Sequence, residues 1–233
     1  MKYLLGRAFR APDPYDQYYL DNMQIQAQGR NLKPEHAESQ SILIEHRLSE
    51  PVQVSVELFQ NDLNSMIEER LDAETGETRF MNVTGSRGRG AELEMRTATS
   101  SGWVARASYT TLRTEEKASG PAIVNSPRTL AKLNGQAPLP LAVHLGIELL
   151  YTGSQNSYLN TRVSSSFLTN STLSAGFPRS GWSFSASCYN LLNMRWSTPT
   201  GPEVGEPATV QDGRTWRIRL SYRQLLPSAR SRP

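Results

Sequence analysis

The sequence lacks any long apolar run, and it has a single cysteine among 233 residues. A transmembrane helix needs about 18 to 20 consecutive apolar residues, so a helical membrane anchor is excluded. One cysteine excludes an internal disulfide framework, and we expect Cys188 to be an ordinary small apolar side chain on a strand. The formal charge of +3 comes without a dense run of lysine and arginine. We therefore expect no nucleic-acid partner.

The sequence also lacks the local patterns that mark catalytic or metal sites. Its histidines, His36, His46 and His144, are too dispersed for a recognisable metal-ligand spacing. Serines are plentiful, but none lies in a nucleophile motif. We therefore expect no enzyme activity, no metal site and no cofactor. The first residues begin like a secretory signal, but their apolar part is too short and Arg7 follows at once.

What the sequence does have is alternation of apolar and polar residues, most clearly over residues 214–223. A period of two indicates a strand with one apolar and one polar face. A transmembrane barrel can turn such an apolar face to lipid and the polar face to a wet lumen. The apolar side chains of this run are Trp216, Ile218, Leu220 and Tyr222, and the polar ones include Arg217 and Arg219.

The same alternation predicts about ten strands, joined by connections that are long and short in turn. Outer-membrane barrels have this arrangement, with short periplasmic turns and longer extracellular loops. The predicted strands have about ten residues or more, enough to cross a bilayer, whereas strands of globular proteins average about five or six. The prediction is an all-β fold, an antiparallel transmembrane β-barrel. The predicted strands cover residues 1–8, 38–48, 52–67, 79–99, 103–112, 128–137, 141–151, 163–176, 182–188 and 214–223.

Six short motifs occur in the order in which the barrel of TonB-dependent outer-membrane receptors carries similar ones. Each motif is weak alone, but together they extend over nearly the whole chain. The sequence therefore resembles the C-terminal part of that barrel. The motifs start at Gly6 (Gly-Arg-Ala-Phe-Arg-Ala-Pro), Asn31 (Asn-Leu-Lys-Pro-Glu), Asn82 (Asn-Val-Thr-Gly, followed by Gly-Ala-Glu from Gly90), Asn125 (Asn-Ser-Pro-Arg), Tyr189 (Tyr-Asn-Leu-Leu-Asn) and Gly213 (Gly-Arg-Thr-Trp).

The resemblance implies a 22-stranded barrel, filled by an N-terminal plug, in a receptor of the outer membrane. Such receptors import iron-siderophore complexes, cobalamin or similar nutrients with energy from the TonB complex. We expect residues 1–224 to be the C-terminal portion of that barrel, residues 225–233 to be a basic tail, and the plug to be absent. The expected function is a ligand-gated transport receptor, present as a truncated barrel fragment, with membrane lipid around it and TonB contacts only through the missing plug.

Two alternatives remain open at this stage. The chain is a soluble all-β binding module with a decorated polar face, or it is a small outer-membrane β-barrel protein. Membrane fractionation separates the first alternative from the receptor. An outer-membrane enzyme would need a clustered nucleophile and base, which the sequence does not show.

Candidate site residues fall into two groups. Aromatic side chains in the long connections are the predicted ligand contacts, because such rings bind bulky amphipathic ligands with little loss of side-chain entropy. The other interpretation is that they pack their own loops or lie at the membrane interface. These aromatics are Tyr15, Tyr18, Tyr19 and Trp196.

Charged residues on the polar faces form the second group, and we predict that they face the lumen. They either compensate one another as wall charges, or they hold the plug and line the ligand path. These residues are Glu92, Glu94, Arg96, Arg106, Arg217 and Arg219.

The fragment hypothesis makes a structural prediction of its own. Strands taken from a large barrel keep its curvature, and closing them into a small barrel would crowd the lumen. We expect an open, curved sheet whose strands at 1–8 and 214–223 are unpaired edges. The apolar faces should point to the lipid side, with Trp103, Tyr109, Leu145, Ile147, Ile218 and Leu220 among them.

Overall fold

Strand pairing dominates the computed structural model, which describes residues 1–18, 26–27, 31–71, 76, 78–117, 123–177, 180–201 and 204–224. Among these residues, no helix has the length and hydropathy to cross a membrane. In chain order the elements are β1 (Lys2–Arg10), α1 (Pro14–Tyr18), β2 (Gln26–Ala27), β3 (Glu35–Ser49), β4 (Val52–Leu71), β5 (Thr78–Ala98), β6 (Val104–Glu116), β7 (Thr129–Leu139), β8 (Val143–Thr152), β9 (Gln155–Asn156), β10 (Arg162–Val163), β11 (Ser166–Phe177), β12 (Trp182–Tyr189), β13 (Ser197–Pro199), β14 (Ala208–Val210) and β15 (Thr215–Tyr222).

The long strands form an antiparallel meander in the order β1-β3-β4-β5-β6-β7-β8-β11-β12-β15. Each therefore pairs with the next long strand of the chain, as short turns and longer connections allow. The β4–β5 ladder runs from Val52 opposite Thr97 to Leu71 opposite Thr78. The short strand β2 adds a parallel pairing to β5. The predicted all-β antiparallel sheet of about ten strands is confirmed.

The sheet is open. Within the described part of the chain, β1 pairs with β3 and β15 pairs with β12, and no ladder joins β1 to β15. Every residue of both edge strands is exposed. The prediction of an open sheet with the first and last strands as its edges is therefore confirmed.

One face of the sheet is an exposed apolar band. The register aligns Ile44 with Val56, Val56 with Leu93, and Leu93 with Tyr109, so apolar side chains are neighbours from strand to strand. Leu93 is 49% exposed and Ile218 is 74% exposed. The apolar band comprises Ile42, Ile44, Val54, Val56, Leu58, Leu93, Met95, Tyr109, Leu133, Leu145, Ile147, Leu149, Phe167, Leu173, Phe184, Ile218 and Leu220.

The sheet has almost no hydrophobic core of its own. In the described ranges, the buried apolar side chains are Ile67, Val163 and Cys188. A soluble domain of this size buries most of its large apolar side chains, and an exposed patch of this extent marks a contact with protein or membrane.

Two connections contain structure that alternation did not predict. Residues 9–36, expected to be irregular, hold the one-turn helix α1 after the end of β1. Asp13 caps this helix, because its side chain accepts the Asp16 N–H at 2.8 Å while the Asp16 carboxylate accepts the Asp13 N–H at 3.2 Å. The expected loop at 195–213 folds into the β13–β14 hairpin.

Strand boundaries also differ from the prediction. Val163 was expected to open a long strand, but it lies in β10, which pairs with β9, and β11 begins only at Ser166. Leu141 and Ala142 have φ values of 63° and 58°, which end the extended conformation, so β8 begins at Val143 instead of Leu141. Trp103 lies in the turn before β6 rather than in the strand.

The backbone of the β4–β5 ladder is locally distorted at Gly85. This glycine has φ of 102° and lies opposite Asn64, next to Ser65 with φ of 53°. A Cβ at position 85 would lie 2.1 Å from the carbonyl oxygen of Leu63. The Asn82 side chain donates to the Ser65 carbonyl at 2.7 Å and so fixes the distortion. Only glycine fits this combination of backbone angle and close approach.

We expect Gly85→Ala to destabilise the sheet by about 1–3 kcal/mol, because the new methyl group combines a strained φ with a main-chain clash. Gly135→Ala is the matched control, since a Cβ there meets no atom within 4 Å. Thermal unfolding in detergent, followed by far-ultraviolet circular dichroism, should show a lower Tm for Gly85→Ala alone. Equal Tm values for the two variants would contradict the claim that position 85 requires glycine.

Candidate functional site

A cavity of about 730 Å³ lies where two long connections meet, the one between β8 and β11 and the one between β12 and β15. The first connection contributes Arg162 and Val163 from β10. The second contributes Arg195 and Trp196, which precede the β13–β14 hairpin. No carboxylate is found among the described side chains that line the cavity. Its chemistry is therefore cationic and aromatic.

A buried asparagine shapes the second connection as β12 ends. Asn190 is 5% exposed and has φ of 49°, which asparagine tolerates better than most residues. Its side chain donates to the Met194 carbonyl and accepts the Met194 N–H, both at 2.8 Å. Its own N–H donates to the Asn170 side chain at 2.9 Å, which ties the turn to β11. The chain therefore leaves β12 along a fixed path toward Trp196.

Trp196 is held at its polar end. The indole Nε1 donates to the Asp212 carbonyl at 3.3 Å, and the Trp196 carbonyl accepts the Gln211 N–H at 3.0 Å. These two hydrogen bonds join the start of the β13–β14 hairpin segment, at Trp196, to its end, at Gln211 and Asp212. The ring is left to line the cavity, in a place where it can stack on a ligand.

The β9–β10 hairpin positions the guanidinium group of Arg162. Ser157 is fully buried, its N–H donates to the Thr161 carbonyl at 2.9 Å, and its Oγ accepts the Thr161 N–H at 3.2 Å. The Arg162 guanidinium donates to Ser154 Oγ at 2.8 Å. A guanidinium fork still has further donors when one is occupied. Arg162 and Arg195 can therefore recognise an anionic group with charge-assisted hydrogen bonds.

A second cluster lies at the opposite end of the sheet, around α1. Arg10, the last residue of β1, forms ion pairs with Asp16 at 3.0 Å and Glu35 at 2.7 Å. Glu35 also accepts the Ile67 N–H at 2.7 Å. The Arg10 hydrogen bond lowers the pKa of Glu35 against the effect of partial burial, with a further contribution from Ile67. These residues lie beyond the apolar band, at the long-connection ends of their strands, and they fix the helix on the sheet.

The structure separates the predicted aromatic contacts. Tyr15 packs edge-on against Phe80, with ring centroids 5.7 Å apart, and Tyr18 is 62% exposed on the same helix. Tyr19 lies outside the described residues. Trp196 is near β12 and β15, at the other end of the strand order. Tyr15 therefore packs α1 against β5.

The predicted lumen charges share the polar face, opposite the apolar band, as the register requires. Glu94 is 5% exposed and lies between Arg96 and Arg106, whose Nε donates to it at 2.7 Å. Glu92 accepts a hydrogen bond from Thr110 at 3.0 Å. At the other end of the sheet, Arg217 stacks over the Tyr189 ring at 5.9 Å, and Arg219 lies opposite Ser185.

Sequence reasoning identified Trp196 but missed the two arginines of the cavity. Arg162 and Arg195 lie in irregular connections, where alternation gives no signal. Among the described residues, no group of three or more histidine, cysteine or acidic side chains is placed to hold a metal ion.

Comparison with known proteins places the fold. Residues 3–191 match the family model described as "TonB dependent receptor-like, beta-barrel". No curated protein sequence matches the chain.

Solved structures are similar at low sequence identity. A point mutant of the ferric enterobactin receptor of Pseudomonas aeruginosa matches with a TM-score of 0.75 and 18% identity, over 94% of this chain and 37% of that one. The ferric-catecholate import receptor Fiu of E. coli K12 matches with 0.69 and 17%, over 93% and 32%. The copper transporter OprC matches with 0.71 and 16%, over 94% and 36%. The chain thus spans about a third of the length of these relatives.

We expect Asn190→Ala to loosen the wall of the cavity, because it leaves the main chain of Met194 without its partners. A lost hydrogen bond to a buried group costs about 1–3 kcal/mol, so amide exchange over residues 191–213 should accelerate about tenfold or more. Asn134→Ala, on the exposed part of β7, is the control. Unchanged exchange in Asn190→Ala would show that the turn does not depend on this side chain.

Proposed function

The chain belongs to the family of TonB-dependent receptor β-barrels, and from this premise we propose that it forms part of an outer-membrane receptor for a small-molecule nutrient. The family match over residues 3–191 carries the proposal. The apolar band supports it, because an exposed apolar surface of this extent is stable against lipid and costly in water. The receptor is a transporter, and we propose no enzymatic reaction.

In this proposal residues 1–224 are a portion of a larger barrel, and residues 225–233, which lie outside the described residues, are a basic tail. The edge strands β1 and β15 each have one row of main-chain groups without a ladder partner in the described sheet. Such groups are costly in lipid, so they pair with further strands of the same barrel. A plug inside that barrel makes the contact with the TonB complex.

The polar face lines the lumen of that barrel. Glu92 and Glu94 balance the charges of Arg96 and Arg106 in the wall, so this patch presents little net charge to the transport path. Arg217 and Arg219 have no carboxylate partner among their described contacts. They give the wall near β15 a positive surface, which favours the passage of an anionic ligand.

The ligand that suits the cavity between the long connections is an anionic metal chelate, such as an iron-siderophore complex. Arg162 and Arg195 supply donors for its negative groups, and Trp196 supplies a face for its rings. Tyr15 and Tyr18 would approach the ligand from the β1 end of the sheet. The ferric enterobactin receptor among the structural relatives is named for a ligand of this kind.

Membrane fractionation tests the location. We expect the protein in the outer-membrane pellet, resistant to extraction at alkaline pH and released by detergent, because the apolar band needs an apolar environment. A soluble periplasmic protein of similar size serves as the control for lysis. Recovery of the chain in the supernatant would favour the soluble all-β binding module instead.

Ligand titration tests the site. The probes are ferric enterobactin, ferripyoverdine and a copper(II) salt. We expect one of the two ferric chelates to quench tryptophan fluorescence. Arg195→Ala should raise the Kd of that chelate about tenfold or more. Arg47→Ala, in the exposed short-turn end of β3, is the matched control. An Arg195→Ala variant that binds as tightly as the wild type would remove the cavity from the proposal.

A further inference from the structure

The face that carries the apolar band changes character beyond it. Along β5 toward its first residue, Leu93 and Ala91 are followed on the same face by Arg89 and Arg87. The neighbouring strands change at the same rows, from apolar or hydroxyl side chains to amide and charged ones. The change lies at the end of the strands that leads to the long connections.

Register joins these charges into one surface. Gln60 pairs with Arg89 and Arg89 with Arg113, while in the next row Asp62 pairs with Arg87 and Arg87 with Glu115. Lys117 follows the end of β6 and reaches back to the same face. We define the cationic belt as Arg87, Arg89, Arg113 and Lys117 with the two carboxylates Asp62 and Glu115.

One carboxylate fixes half of the belt. Asp62 accepts from Lys117 Nζ at 2.7 Å and from Arg87 Nε at 2.9 Å, and Gln60 donates to its other oxygen at 2.8 Å. Partial burial works against its charge, but the hydrogen bonds from Lys117, Arg87 and Gln60 outweigh burial and lower the pKa of Asp62 to about 2. Two cations on one aspartate keep an uncompensated positive charge in a fixed place.

The other half of the belt is open to an anion. Arg113 is 64% exposed in its side chain, and its distance to Glu115 is 3.5 Å. Arg89 is also exposed. Since four cations face two carboxylates, the belt as a whole has an excess of two positive charges.

A groove connects the belt to the apolar band. It has a volume of about 400 Å³, with Arg89 and Gln60 on one side and Tyr3, Ile42 and Leu58 on the other. A molecule with an anionic group on an acyl chain matches this order of surfaces. The opposite border of the band, at the short turns, has aromatic rings instead, such as Trp182 and Tyr222 at 4.9 Å.

We propose that the cationic belt binds the phosphate groups of anionic lipid headgroups, with the acyl chains of the lipid against the apolar band. The inference rests on the proposed membrane location and adds a specific lipid surface to it. Arginine forks match phosphate oxygens in a bidentate manner, and basic clusters next to a membrane surface recognise anionic lipids. The belt therefore fixes the depth of the sheet in the leaflet on the side of the long connections.

The test uses the full-length protein as expressed in the cell, purified in a mild nonionic detergent. Thermal unfolding is followed while phosphatidic acid, phosphatidylcholine with the same chains, or inorganic phosphate is added. We expect phosphatidic acid alone to raise Tm by several degrees, in a manner that rising salt reverses. The double variant Arg89→Gln/Arg113→Gln should need at least about tenfold more phosphatidic acid for half of that effect.

Arg47→Gln, a charge removal at the short-turn end of β3 on the opposite face, should respond like the wild type. A double variant that also responds like the wild type would overturn the proposal, and so would an equal effect of inorganic phosphate. Equal stabilisation by both lipids would overturn the proposal that the cationic belt selects anionic lipids, but it would agree with the membrane location. No response to either lipid would count against the lipid site and against the membrane location. If the double variant does not fold, the salt dependence of the wild-type response decides.

Discussion

Main-chain hydrogen bonding between neighbouring strands is the interaction on which this structure depends. The described chain buries hardly any apolar side chains, so its order comes from long ladders such as that between β4 and β5. A ladder leaves its two outermost strands with unpaired groups, and here those are β1 and β15. The stability of the sheet therefore depends on what lies beyond its edges and against its apolar face, because neither requirement is met within the sheet.

The two faces solve different electrostatic problems. On the polar face, Glu94 is buried between two arginines, which keeps its charge compensated inside the wall. Among the described residues of the other face, the charges lie beyond the apolar band, where Asp62 holds two cations in place. The long-connection ends add a third arrangement, the arginines and tryptophan of the cavity. Each arrangement puts its charge where solvent, a ligand or a headgroup can reach it.

Alternation predicted the strands and their neighbours, because a two-faced strand has to repeat every second residue. The open edges were predicted from the resemblance to part of a larger barrel. Alternation did not predict structure where the chain has no alternating apolar and polar faces. The charged residues Glu68, Glu69 and Arg70 predict a loop, so β4 was expected to end at Ile67, whereas it continues to Leu71. Capping by Asp13 and the turn at Asn190 depend on single side chains, which periodicity does not detect. Arg87 and Arg89 lie in a predicted strand, but alternation does not show which charges of neighbouring strands the register will bring together.

The ladders also encode an inclination. Val52, at the short-turn end of β4, is linked by register through Thr97, Ala105, Gly135 and Ile147 to Ser171, yet β11 continues to Phe177 at its own short turn. The turns thus drift by about six residues, roughly 20 Å, across five strand spacings of about 4.8 Å. That slope corresponds to strands inclined at about 40°, within the range of closed barrels. At this angle a run of ten residues rises about 25 Å, the height of an outer-membrane apolar belt.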